Sequence, residues 1–266
     1  MAFSLCRLGL ANAGLLSLTL LAACSDQTIQ PATLPVLPDE RLSLAAPPAP
    51  GSEAQAEDDR IFAQTRRLVG SPRWALATSD ADLHPEPFLR HYSCAIGFTL
   101  NLAKTPHLAR IMTIVAKAET PRTSEEKHYW KRQRPFIGND APICVARSPD
   151  LAKSPSYPSG HTIAGYSTAL VLSAIMPERA AQILQRGRVI GESRIICGVH
   201  WASDVAAGYQ AAGAFAVTLL QDPTIRALMP QARQELLALQ ADSMQPDPKS
   251  CAAEADAAAH SPFSAN

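Results

Sequence analysis

Two apolar, Ala-rich runs, residues 163–176 and 205–220, are each entered from a polar turn that carries a histidine. That arrangement restricts the architectures open to the chain. The runs have helical length, and neither reaches the ~20 apolar residues that a membrane-spanning helix needs. They read as core helices. The first follows Ser156-Tyr157-Pro158-Ser159-Gly160-His161-Thr162. A Ser/Gly turn that opens a helix offers backbone N–H groups and the positive end of the helix dipole to an anion, and Gly160 lets the backbone come close. His161 then stands beside the same anion.

The second run follows residues 191–204, which contain Arg194, His200 and Asp204. If His200 opens a helix, Asp204 lies one turn on along the same face, where its carboxylate can accept a hydrogen bond from the imidazole. The other ring nitrogen is then free to attack. Alone, the stretch is as well explained by a part-buried helix histidine and an ordinary charge. A third stretch, residues 127–135, adds to it. Lys127 precedes Arg134-Pro135 by seven positions, close to two turns, so the spacing predicts two cations on one side of a helix that Pro135 ends.

Taken together, Lys127-six residues-Arg134-Pro135, Pro158-Ser159-Gly160-His161 and Ser193-Arg194-five residues-His200-three residues-Asp204 resemble the three-part signature of the type 2 phosphatidic acid phosphatase superfamily. That superfamily includes bacterial class A acid phosphatases, membrane lipid phosphatases, glucose-6-phosphatase and vanadium haloperoxidases. The likeness to the class A branch continues through Gly70-Ser71-Pro72-Arg73-Trp74, Ser79-Asp80-Ala81-Asp82 and Ile195-Ile196-Cys197-Gly198, and covers about residues 42–241. It implies an all-α, single-domain helical bundle of the acid phosphatase/vanadium haloperoxidase type. By the same resemblance His200 is the nucleophile, Asp204 orients it, and His161 is the acid and then the base. Lys127, Arg134, Ser159, Gly160 and Arg194 bind phosphate, with no metal or cofactor. The implied activity is hydrolysis of small phosphomonoesters, open to vanadate inhibition. A vanadate-dependent haloperoxidase, a lipid or pyrophosphate phosphatase of the superfamily, and a non-catalytic phosphate-binding lipoprotein are the competing readings. A homo-oligomer stays open.

The 266 residues allow one sizeable domain, and 47% hydrophobic with 6% aromatic residues suits a helical core built on Ala and Leu. Formal net charge is zero and no basic stripe is present, which argues against nucleic acid as a partner. Residues 1–23 read as an export signal, and Leu21-Ala22-Ala23-Cys24 resembles a lipobox that would make Cys24 a lipid anchor. With Ser25 next, the expected address is the periplasm, tied to the outer membrane by that anchor alone. Residues 24–59 read as a Pro/Ala-rich tether, 60–242 as the catalytic domain and 243–266 as a disordered tail.

Within the domain, residues 60–83 predict one or two short helices with Asp80-Ala81-Asp82 as a helix start, and 88–102, 108–118 and 177–190 predict further helices. The Pro- and Gly-bearing loop from 135 to 158 joins two parts of the site. His84, His91 and His107 have no metal-ligand spacing and read as surface or structural. Cys94, Cys144, Cys197 and Cys251 suit an exported protein and allow three pairings. The class A resemblance points to Cys144–Cys197.

Overall fold

Six α-helices among the described residues begin on a side-chain oxygen that accepts a backbone N–H of the first turn: Ser52, Ser71, Ser148, Ser159, Asp222 and Asp247 are these caps. The computed structural model describes residues 33–242 and 244–264. The proposed leader at 1–23, Cys24 and the start of the tether lie outside the described residues. From residue 33 onward the chain is one compact unit. In order it forms α1 (Glu53–Thr65), α2 (Pro72–Ser79), α3 (Pro85–Arg90), α4 (Ser93–Ile96), α5 (Pro106–Trp130), α6 (Pro149–Lys153), α7 (Gly160–Ile175), α8 (Ala180–Ile196), α9 (Ala202–Gln221), α10 (Pro223–Asp242) and α11 (Pro248–Ala259). No strand occurs among the described residues, so the fold is all-α as expected. None of their helices is long and apolar enough to cross a membrane.

Helix α7 is the centre. Its Ile163, Leu172 and Ile175 share one core with Ile183 and Ile190 of α8, Ala211 and Phe215 of α9, and Leu108 and Ile111 of α5. Glycines set the approach: a Cβ at Gly187 would stand 2.5 Å from that of Ala169, and one at Gly208 would stand 2.7 Å from that of Thr162. The second contact brings the start of α9 against the start of α7. The Ser159 N–H then donates to the Asp204 carbonyl at 3.0 Å, which locks together the two helix entrances that carry the histidines.

Several sequence expectations are corrected. Helix α5 ends at Trp130, where Lys131 takes the left-handed conformation at φ 52, so Arg134 lies beyond the helix. Beyond the turn Arg132 and Arg134 are both buried, the first on Asp204 and the second on the Val199 carbonyl. Residues 33–59 are no free tether. Leu37 and Leu44 enter the main core, and Tyr157 Oη donates to the Ala45 carbonyl at 2.6 Å. A turn at residues 40–44 and the start of α1 at Glu53 lie within the segment, and its two leucines find sockets.

Asp80 ends α2 instead of starting a helix, and is buried against Arg186. The 88–102 run breaks into α3 and α4 and stops at Gly97, whose φ is 96. The supposedly disordered tail contains α11, capped by Asp247 with Pro248 in its first turn. It is held by the Cys94–Cys251 disulfide and by Glu254, 3.1 Å from Arg186. Helix α10, which packs against α5, was not anticipated at all. The Cys144–Cys197 disulfide forms as the resemblance indicated.

Candidate active site

The last turns of α5 and α8, the loop after α5 and the entrances of α7 and α9 converge on one point. Lys127, one turn before the end of α5, donates from Nζ to the Pro155 carbonyl at 2.8 Å. Burial, reinforced by Arg134 nearby, pulls its pKa down to about 7. Arg134 reaches back from the loop, with Nε donating to Ser154 O at 2.7 Å and Nη1 to Val199 O at 2.8 Å. Arg194, in the last turn of α8, is 3% exposed. Its Nε and Nη1 have no hydrogen-bond partner among the described residues. Burial brings both guanidinium pKa values down to about 10, so both stay charged at neutral pH.

His200 is 2% exposed and precedes α9. Its Nδ1 lies 3.3 Å from Asp204 Oδ2, and its Nε2 lies 3.1 Å from Arg134 Nη1. A guanidinium can only donate, so Nε2 is the acceptor and the ring proton sits on Nδ1, facing the carboxylate. The ring is therefore neutral with its Nε2 lone pair turned into the cation cluster. Burial first, and then Arg134, Lys127 and Arg194, hold its pKa well below the usual imidazole range. His161 stands in the first turn of α7 with Nε2 3.2 Å from the Ala81 carbonyl. Burial and Arg194 depress it in the same way.

Ser159 and Gly160 form the entrance of α7. The Ser159 hydroxyl accepts from Thr162 N–H at 3.4 Å and from Thr162 Oγ1 at 2.9 Å, which leaves its own proton to donate. Gly160 opens α7, and a Cβ there would meet Thr123 Cγ2 at 3.3 Å and Lys127 Cε at 3.6 Å. The helix end thus lies against the lysine with no side chain between them. All eight residues picked from the sequence meet here, although His200 and Arg134 sit outside the helices expected for them.

Sequence reasoning missed Arg132. Its guanidinium donates to Asp204 Oδ1, to Asp58 Oδ2 and to Gln55 Oε1, each at 2.7 Å, and to Ser203 Oγ at 2.6 Å. Asp204 also accepts from the Trp201 N–H at 2.9 Å. Burial raises the Asp204 pKa, and Arg132 opposes that rise. The available signal was a second arginine two positions before Arg134, but its partner Asp58 is 74 residues away.

A cleft of about 620 Å³ opens from Lys127, Gly160 and His161 along α5 and α7. Among the described residues no group of three or more His, Cys, Asp or Glu side chains could hold a metal ion. The site as built gathers Lys127, Arg134 and Arg194 around the neutral imidazole of His200, with a second imidazole, His161, beside them on the cleft.

A family model described as the PAP2 superfamily matches residues 108–226, a span that contains all eight site residues. An acid phosphatase of Zymomonas mobilis is 46% identical over 220 residues, 82% of this chain and 83% of that protein. A non-specific acid phosphatase of Salmonella typhimurium is 34% identical over 80% of this chain and 86% of its own length. One from Providencia stuartii is also 34% identical, over 76% of this chain and 82% of that protein.

Proposed function

The chain belongs to the PAP2 superfamily and is an acid phosphatase, and we propose that it hydrolyses phosphate monoesters through a phosphohistidine on His200, without a metal ion, after export. Arg194 carries this reading. A buried guanidinium with two unpartnered N–H groups is costly unless an anion completes it, and Lys127, Arg134 and His200 surround the place where that anion would sit.

Phosphoryl transfer needs positioning and charge stabilisation more than bonding from the protein. Lys127, Arg134 and Arg194 face the non-bridging oxygens, aided by the Ser159 O–H and the N–H groups at the start of α7. Nε2 of His200 attacks phosphorus, the bond to the ester oxygen breaks, and that oxygen leaves with the electron pair and takes a proton from His161. Asp204 holds the Nδ1 proton and steadies the charge that the ring acquires. His161 then removes a proton from water, the oxygen adds to phosphorus, and the P–N bond breaks to return its electrons to Nε2. Because burial and the neighbouring cations keep both imidazoles neutral beforehand, the proton that His161 donates arrives with a substrate monoanion. Phosphate's second pKa of about 6 suits an acidic working range.

The test is turnover of p-nitrophenyl phosphate with EDTA present, together with a quench of labelled substrate. The wild type should hold an acid-labile, alkali-stable phosphoenzyme that is absent from His200→Ala, and vanadate should inhibit by mimicking the transferring group. Label retained by His200→Ala, or activity lost to chelation and restored only by metal, would sink the mechanism. Two disulfides support an oxidising compartment. For the lipid anchor, Cys24→Ala should be exported and active but released from the membrane fraction, and equal membrane retention would rule the anchor out.

A further inference from the structure

The cleft beside His161 is not uniform. Near Lys127 it is polar, whereas farther along α5 and α7 its wall is Leu83, Phe88, Ala116, Ile163 and Ala164. Set into that apolar part is Glu119, which is 4% exposed and appears in no step of the phosphoryl transfer. The Ser167 hydroxyl lies near its carboxyl group but donates to the Ala164 carbonyl at 3.4 Å, and Oε1 has no hydrogen-bond partner among the described residues. A polar atom buried in an apolar wall without a partner costs free energy that a suitable ligand atom would recover. Glu119 lies eight residues before Lys127 on α5, a rise of roughly 12 Å along the axis. A group that meets it while its phosphate is held by Lys127 must therefore be large.

Resting on the phosphatase reading, the geometry points to a leaving-group subsite in which Glu119 selects phosphate monoesters of bulky, mainly apolar alcohols that carry a second hydroxyl at their far end. The apolar wall takes the body of the alcohol, and the distal hydroxyl satisfies Oε1. Burial pushes the Glu119 pKa up to about 8, so at acidic pH the group is an uncharged acid able to donate as well as accept. A plain hydrocarbon body fills the same space but leaves the carboxyl unpaired, which is the asymmetry that gives polar subsites their discrimination.

The experiment compares kcat/KM for 2-naphthyl phosphate and 6-hydroxy-2-naphthyl phosphate at pH 6, with p-nitrophenyl phosphate as the reference. Wild type should favour the hydroxylated ester by about tenfold. In Glu119→Leu the preference should vanish or invert, while Glu119→Gln, which keeps shape and hydrogen bonding, should retain it. No preference in the wild type overturns the subsite, whether or not the leucine variant folds, and so does an unchanged preference in Glu119→Leu. Failure of the phosphatase reading looks different, because the wild type would then turn over none of the three esters.

Discussion

Arg186 and Arg194 lie eight residues apart on α8, each 3% exposed, and they do opposite things. Arg186 is saturated with anions. Its Nη2 meets Asp80 Oδ1 at 2.5 Å, its Nη1 meets Asp80 Oδ2 at 3.1 Å, and Glu254 of α11 lies 3.1 Å from its Nε. Asp80 in turn accepts from Ser193 Oγ at 2.6 Å. Arg194 has the cation Arg134 nearby and, among the described residues, makes no ion pair and leaves two nitrogens unpartnered. The electrostatics follow, since Arg186 is pushed above the usual guanidinium range by its carboxylates and Arg194 is brought down to about 10 by burial. Burial of charge alone is therefore no mark of a functional site. What separates the two is whether the protein supplies the counterion or leaves it to a ligand.

The largest expected effect comes from swapping the roles. Arg194→Met should lower kcat/KM for p-nitrophenyl phosphate by about 10³- to 10⁵-fold, the range for losing an arginine that stabilises a transferring phosphoryl group. Its melting temperature should hold or rise, because a costly unpaired charge is gone. Arg186→Met should do the reverse. Stranding buried Asp80 costs roughly 3–5 kcal/mol, a fall on the order of 10 °C for a domain of this size. Its activity per folded molecule should change little. Paired kinetic and calorimetric measurements on both variants decide this, and a stability loss in Arg194→Met matching that of Arg186→Met would erase the distinction.

Arg132 lies between the extremes and sharpens them. It is paired like Arg186, to Asp58 and Asp204 at 2.7 Å, but Asp204 also faces Nδ1 of His200 at 3.3 Å, the nucleophile of the proposed mechanism. Arg132→Met should therefore lose stability and also lower kcat, on the order of 10²-fold, less than the ~10⁴-fold seen when an orienting carboxylate itself is neutralised. KM should move far less than kcat, since the phosphate-facing cations are untouched. A variant that melts early yet keeps full kcat would make Arg132 a structural residue of the Arg186 kind.

The contrast also marks what could be read from the sequence. The cage was legible because its members cluster in three short segments, and helix-start chemistry at Ser159-Gly160 and the i,i+4 spacing of His200 and Asp204 are local properties. The ion-pair region was not. Asp80 looked like a helix start because acidic residues favour caps, and only the fold brings it to Arg186, 106 residues away. The tail looked disordered from its Ala, Pro and Asp content, but Cys251 closes a disulfide with Cys94 across 157 residues. The arm at 33–59 misled for the same reason, since Leu37 and Leu44 gain their partners from distant helices. Even inside the cage the expected helix to Arg134 failed. The turn at Lys131 leads into the loop in which Arg132 and Arg134 are buried, and lysine itself has no preference for φ 52 that the sequence could have signalled.

The smallest effect expected is thermal, and it follows from proton linkage. Lys127, His161 and His200 have folded-state pKa values below their ordinary ones, with Lys127 at about 7. Between folded and unfolded pKa values the unfolded chain binds more protons, so these groups make the ligand-free enzyme more stable as pH rises: the histidines up to about 6.5, Lys127 from about 7 to about 10.5. Bound phosphate opposes the cations and draws the three pKa values back up. Proton uptake accompanies binding, and the stabilisation by inorganic phosphate should be greater at pH 5.5 than at pH 8.5. At a hundredfold excess over Kd it amounts to about 2.7 kcal/mol, a rise on the order of 5–10 °C. Melting curves with and without phosphate at the two pH values read it directly. The shift should survive in Arg186→Met and disappear in Arg194→Met, because only the second removes groups that wait for an anion. An equal shift in both variants would mean that phosphate binds elsewhere.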